Sequence, residues 1–148
     1  MISKKTKYAL KALTHLALNE AHGRPVLIAD LAQSEGIPKK FLEAILLELR
    51  NHGVLHSKKG KGGGYTLARP AEAIVLGSII RMLEGPLAPL PCVSQTAYQR
   101  CEECRDEATC GIRLVMKQVA DATAKILDNT SLAEMCRQVD HAAMIFAI

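Results

Sequence analysis

The chain has 148 residues, 49% hydrophobic but only 3% aromatic with no Trp, which suits one aliphatic, mainly helical core. No apolar run approaches membrane-spanning length, and Lys4, Lys5, Lys7 and Lys11 interrupt the N-terminal apolar stretch, so neither a membrane span nor a signal peptide is expected. The net charge of +4 is unevenly spread: residues 1–69 carry 12 Lys or Arg against 5 Asp or Glu, residues 70–148 carry 7 against 10, and a polyanion partner is expected for the first half alone.

A first helix is predicted over residues 4–19, where Tyr8, Leu10, Ala12, Leu13, Leu16 and Ala17 recur at helical spacing and the lysines take the other face. Its basic start places Lys4 near the expected polyanion. His22-Gly23-Arg24-Pro25 is a turn, and Leu27, a poor N-cap, opens a second helix. Ala32 lets two helices cross closely, and Gly36 supplies a left-handed turn four residues later. Ile37, Leu42 and Ile45 then face back into the crossing, which is the internal pattern of a helix-turn-helix. Pro38 suits the first turn of the second helix, along which Phe41, Ile45 and Leu49 recur. After Gly53 the period changes: Val54-Leu55-His56 and Tyr65-Thr66-Leu67 read as two short strands around a loop of Lys and Gly. A helix-turn-helix followed by a basic hairpin is the plan of a winged-helix DNA-binding domain. The glycines do not form a Walker loop, because no Lys-Ser/Thr pair follows them at the required spacing.

Pro70 ends the wing, and residues 76–83 read as a short helix closed by Gly85-Pro86. From Pro86 to Gly111 periodicity disappears, and a loop of that length is functional or disordered as a rule. Beyond it, Ile112, Val115, Met116, Val119, Thr123, Ile126 and Leu127 trace one apolar stripe over about four turns. A dimer interface is expected there, as a regulator reading a two-fold operator requires. Ser131 and Glu134, spaced as a capping box, start a last short helix, in which Cys136 reads as a small buried residue. The apolar tail Ala142–Ile148 has no assigned role.

Cys92, Cys101, Cys104 and Cys110 fall within nineteen positions of the loop. A cytoplasmic chain keeps its thiols reduced, so disulfides do not account for them. Thiolates are soft ligands that select zinc, copper(I) or iron–sulfur clusters. Zinc would ordinarily show two close Cys pairs or a Cys pair with a His pair. Only Cys101 and Cys104 make such a pair, and no His lies in the loop. Three readings stay open at this point: an iron–sulfur cluster (2Fe-2S or 4Fe-4S), a zinc site, or redox-responsive thiols. A thiol oxidoreductase built on Cys101-Glu102-Glu103-Cys104 is disfavoured, because the strand–helix setting of a redox motif and an activating His or Asp are both missing.

The chain resembles the winged-helix repressors that include the iron–sulfur cluster regulator and the nitric-oxide-sensing repressor of bacteria. The resemblance runs from about Ser3 to Val139. It is carried by Lys7-Tyr8-Ala9-Leu10-Lys11-Ala12-Leu13, Phe41-Leu42-Glu43, Gly60-Lys61-Gly62-Gly63-Gly64-Tyr65, and Cys104 to Cys110 followed by Gly111-Ile112-Arg113. It implies a homodimer crossed at residues 112–127, with the second helix of the motif in the major groove and the Gly-rich wing in the minor groove. By the same resemblance Lys59 stands where a basic residue reaches the minor groove, and Glu43 where some members contact bases. Lys39 and Lys40 replace small polar residues and would hold phosphates. Cys92, Cys104 and Cys110 resemble the three cluster ligands. The positions that supply a fourth ligand in other members hold Arg113 and Lys7, neither of which can ligate, and Cys101 is the natural substitute.

The expectation is a mainly α chain and a non-enzyme: a winged helix-turn-helix over residues 1–84, a cysteine-rich cluster loop over 85–111, and a dimerisation helix with tail over 112–148. Expected DNA contacts are Lys4, Lys39, Lys40, Glu43, Lys58, Lys59, Lys61, Gly62, Gly63 and Tyr65, and expected metal ligands are Cys92, Cys101, Cys104 and Cys110. The partners are a double-stranded DNA operator and a second copy, with no membrane. The cofactor is an iron–sulfur cluster, with zinc as the alternative, in a cytoplasmic transcriptional regulator that represses.

Overall fold

The computed structural model describes residues 2–147. Helices α1 (Lys4–Leu18), α2 (Ile28–Glu35) and α3 (Lys39–Asn51) are followed by strands β1 (Leu55–Lys58) and β2 (Gly64–Leu67). Helices α4 (Leu76–Glu84), α5 (Gly111–Asp128) and α6 (Leu132–Phe146) complete the chain. The chain divides into two compact units: residues 1–74 with 131–148, and residues 75–130.

The first unit is a winged helix-turn-helix. Ser3 caps α1 by accepting from the Thr6 amide at 3.2 Å, and Thr6 is fully buried beneath that cap. Ala9, Ala12, Leu13 and Leu16 form the inner face of α1 and meet α2, α3 and α6. The small Ala residues let the axes approach, and Leu31, Leu42, Ile45, Leu46 and Leu49 fill the crossing with no exposed surface. Leu27 precedes α2 without a side-chain cap, as its chemistry dictates. Gly36 closes α2 in the left-handed region at φ 63°, its amide bonding Ala32 O. Pro38 stands one residue earlier than expected, capping α3 from outside rather than filling its first turn.

β1 and β2 pair antiparallel, Leu55 opposite Leu67 and Lys58 opposite Gly64. Val26 and Tyr65 exchange both backbone bonds, at 3.0 and 2.9 Å, so the segment before α2 adds a third edge to the wing. The hydrophobic Val54 is buried just outside β1, and the strand continues instead to Lys58.

α6 returns to this unit. Ser131 Oγ accepts from the Glu134 amide at 3.1 Å, Leu132 donates to Ile74 O at 2.7 Å, and Leu132, Ala133 and Cys136 are buried. The expected short helix instead runs fifteen residues to Phe146, taking in most of the apolar tail. Met144, Ile145 and Phe146 are exposed on its last turn. Ile148, the end of that tail, lies outside the described residues.

In the second unit α4 packs on α5, and Cys92, Val93 and Ala120 form a small core with Ala88, Leu90 and Met116 around it. Arg81 donates through both terminal nitrogens to the two Asp128 oxygens, at 2.6 and 2.8 Å, tying α4 to the end of α5. Gly77 makes room for that fork: a Cβ there would stand 2.0 Å from Asp128 Oδ1.

Candidate functional site

The basic head of the first unit is built on α3. Its inner face is committed to the core, which leaves Lys39, Lys40 and Glu43 exposed along the opposite face. The first turn carries no acidic residue and two lysines, a placement that opposes the helix dipole unless an anion is near. Phe41 is 37% exposed and stands edge-on to Tyr8, with ring centres 5.6 Å apart. Lys4 Nζ lies 5.9 Å from the Tyr8 ring centre. Lys4, Tyr8 and Phe41 therefore form one stack that carries the cationic start of α1 to the flank of α3. In the sequence Tyr8 reads as part of the apolar stripe, and its four-residue step from Lys4 is the signal for this stack. Lys5 pairs with Glu48 at 2.5 Å, and Arg50 donates to Ser57 Oγ at 3.4 Å, joining the end of α3 to the wing.

Lys58, Lys59 and Lys61 are exposed at the wing tip, with Gly62 beside them. Gly63 is buried under the turn, its amide bonding Gly60 O at 3.0 Å. A Cβ on Gly63 would lie 2.3 Å from Lys58 O, so only glycine lets the hairpin close. Tyr65 is half-buried and held through its backbone by Val26. The expected contacts thus divide into exposed lysines that can meet a phosphate, the exposed carboxylate of Glu43, and a glycine turn with the half-buried Tyr65 at its base.

The cysteine loop of the second unit folds back on itself through polar bonds. The Gln99 amide reaches Pro91 O at 3.1 Å, and Ser94 Oγ accepts from the Ala97 amide at 2.9 Å. Asp106 accepts from the Ala108 amide and the Thr109 hydroxyl, each at 3.0 Å, and Tyr98 donates to Glu107. This bond to Glu107 raises the Tyr98 hydroxyl pKa. Cys101, Cys104, Cys110 and the buried Cys92 all line one solvent-open cavity of about 550 Å³, with Arg100, Arg113, Glu102 and Glu103. Desolvation pushes the Cys104 thiol up. Arg100 opposes that shift, while Glu107, Cys110 and Cys101 reinforce it. Arg100 also donates to Cys104 O at 3.4 Å.

As placed, no three His, Cys, Asp or Glu side chains among the described residues are close enough together to hold a metal ion. The four thiols share a wall of the cavity without converging. Two observations fit a thiolate-bound, negatively charged group there: four soft donors in one cavity, and the Arg113 Nε, which is buried without an acceptor among the described residues. Cys136 lies apart, in the core of the first unit, where burial raises its thiol pKa. α5 starts at the cavity, with Cys110 as its N-cap, and carries Ile112, Val115, Val119 and Ile126 exposed at 67, 54, 47 and 65%.

Residues 2–138 match the Rrf2 family, described as an iron-dependent transcriptional regulator. An rrf2-like HTH-type transcriptional regulator of Rhodobacter capsulatus is 42% identical over 147 residues, covering 98% of both chains. The HTH-type transcriptional regulator IscR of Erwinia tasmaniensis is 31% identical, covering 90% of this chain and 77% of its own. Among solved structures, CymR, the global cysteine regulator of B. subtilis, superposes with a TM-score of 0.78 at 30% identity, over 93% of this chain and 97% of the other.

Proposed function

This chain belongs to the Rrf2 family of transcriptional regulators, and on that premise we propose that it is a homodimeric DNA-binding repressor whose cysteine loop holds an iron–sulfur cluster. The observation that carries the reading is the junction at Cys110: one end of α5 meets a cavity lined by four thiols, and the rest presents an unpartnered apolar stripe. Ile112, Val115, Val119 and Ile126 are about half exposed, so burying the rest of each is worth about 1 kcal/mol, and a second copy of α5 offers the complementary surface. Residues 1–84 then supply two reading heads, residues 85–111 the sensor, and residues 112–148 the dimer contacts.

At the operator, α3 enters the major groove, where Lys39 and Lys40 hold phosphates and Glu43 accepts from a cytosine amine. The wing brings Lys58, Lys59 and Lys61 to the backbone and minor groove, and Lys4 touches phosphate beside α3. Gly62 and Gly63 shape the tip, and Tyr65 fixes its base.

Cys92, Cys101, Cys104 and Cys110 would hold the cluster, and the family's iron dependence supports iron over zinc. The four thiols would be gathered around such a group, whose iron chemistry would make it sensitive to oxygen, nitric oxide and iron scarcity. With the thiols gathered, the loop packs on the start of α5 and fixes the spacing of the two heads; with them released, it does not. A coupling of about 1–3 kcal/mol changes operator affinity some 5–150-fold. No helix of the described residues is long and apolar enough to cross a membrane, and the reading places the protein in the cytoplasm.

An anaerobic absorbance spectrum of freshly purified protein tests this, with iron, sulfide and zinc assayed on the same sample. Brown protein with iron and sulfide that bleaches in nitric oxide supports the cluster. Colourless protein with stoichiometric zinc makes the loop structural. Protein that stays metal-free after anaerobic reconstitution leaves a thiol switch on a DNA-binding head.

A further inference from the structure

We propose that Arg113 is the charge partner of the cysteine site: its buried Nε–H donates to a sulfur of the group held there and holds that group's reduction potential up. This rests on the cluster reading above.

Arg113 lies three residues beyond Cys110 on α5, so helical geometry brings both onto one side of its first turn. Its Nε is buried with no acceptor among the described residues. A guanidinium stays charged in a protein, so its buried N–H demands an acceptor. The carboxylates on the cavity wall, Glu102 and Glu103, are exposed and form no ion pair with it among the described residues. Arg100, the other cation of the wall, is already bonded to Cys104 O. Glu107 is taken by Tyr98, whose hydroxyl feels both Arg100 and Arg113. The neutral side-chain acceptors left on the wall are Gln99 and the four thiols, and of these only the thiols gain negative charge when they take up a metal.

Thiols gathered around iron lose their protons, and a cluster ligated by four thiolates carries net negative charge. A fixed cation and an N–H bond to sulfur stabilise such a group, and more so after one-electron reduction adds a further negative charge. Arginine has no lone pair to give a metal, so Arg113 acts one step out from the iron, as a positioning residue. The position that resembles a ligand position in related chains thus serves this chain by charge.

The test uses the full chain, reconstituted anaerobically with iron and sulfide, assayed for both, then titrated with dithionite through mediator dyes. Each cluster gains one electron, and dithionite, cleaved at its S–S bond, gives up one electron per sulfur and ends as sulfite. Arg113→Gln, Arg113→Lys and a control, Arg105→Gln in the same loop, are compared. In the expected result R113Q loads like the unaltered chain, but its potential falls by the equivalent of roughly tenfold in the one-electron equilibrium, about 59 mV. R113K recovers part of the shift, and R105Q shows none. R113Q that keeps its helical circular dichroism but retains little iron, with R113K loading normally, also supports the charge role. An R113Q potential that moves no further than R105Q overturns the proposal and leaves the cluster reading intact. Unaltered protein that takes up neither iron nor sulfide overturns both.

Discussion

The reading head and the cysteine loop are held by opposite means. In the head, α1, α2 and α3 converge on side chains with no solvent exposure: Leu13, Leu31, Leu42, Ile45, Leu46 and Leu49. The loop has a small satellite core of Cys92, Val93 and Ala120, and beyond it polar links such as Tyr98 to Glu107 and Asp106 to Thr109. Apolar packing sets a shape that persists without a ligand, whereas a few exposed hydrogen bonds set one that an occupant can change. On the proposed reading, the first is the head whose spacing matters and the second the sensor that reports.

The comparison breaks most sharply at the thiols. Cys104→Ala should abolish iron uptake while leaving thermal unfolding of the head unchanged, as read by iron assay and circular dichroism. Leu42→Ala should do the reverse. Removing a fully buried Leu from the crossing costs about 2–5 kcal/mol, visible as a lower urea midpoint. Gly63→Ala forces its Cβ against Lys58 O and should cost about 1–3 kcal/mol locally, weakening operator binding with the helices intact. Changing Lys58, Lys59 or Lys61 singly to Ala should weaken binding to all sequences alike and flatten the salt slope by about one unit. An unchanged slope would remove the wing from the interface.

The smallest effect belongs to the fork between Arg81 and Asp128. The Arg81 hydrogen bond and charge hold the Asp128 carboxyl below the usual range. Its contribution is therefore fully present above the ordinary Asp value near pH ~3.9 and is lost as pH falls through the lower folded value. Both side chains are partly exposed, so Asp128→Asn should cost no more than about 1 kcal/mol at neutral pH. That difference should vanish on acidification, in urea titrations at several pH values.

What was legible in the sequence was local. Gly36 closing α2, Ile37, Leu42 and Ile45 entering the crossing, and Ser131 capping α6 each follow from neighbours a turn away. The end of α6 was not legible, because Ala142-Ala143-Met144-Ile145-Phe146 is apolar on every side and offers no periodic face. Neither was the pairing of Arg81 with Asp128 across forty-seven positions, nor its dependence on Gly77, which are facts of tertiary approach. In the cysteine loop, spacing named the donors, but their gathering on one cavity with Arg100 and Arg113 appears only in three dimensions.

The most direct test is operator affinity of one anaerobic preparation, measured before and after nitric oxide bleaches its iron chromophore. The expected result is a change within the 5–150-fold range that such couplings span, with the circular dichroism of the head unaltered. Equal affinity in both states would mean that the cysteine loop does not control the head.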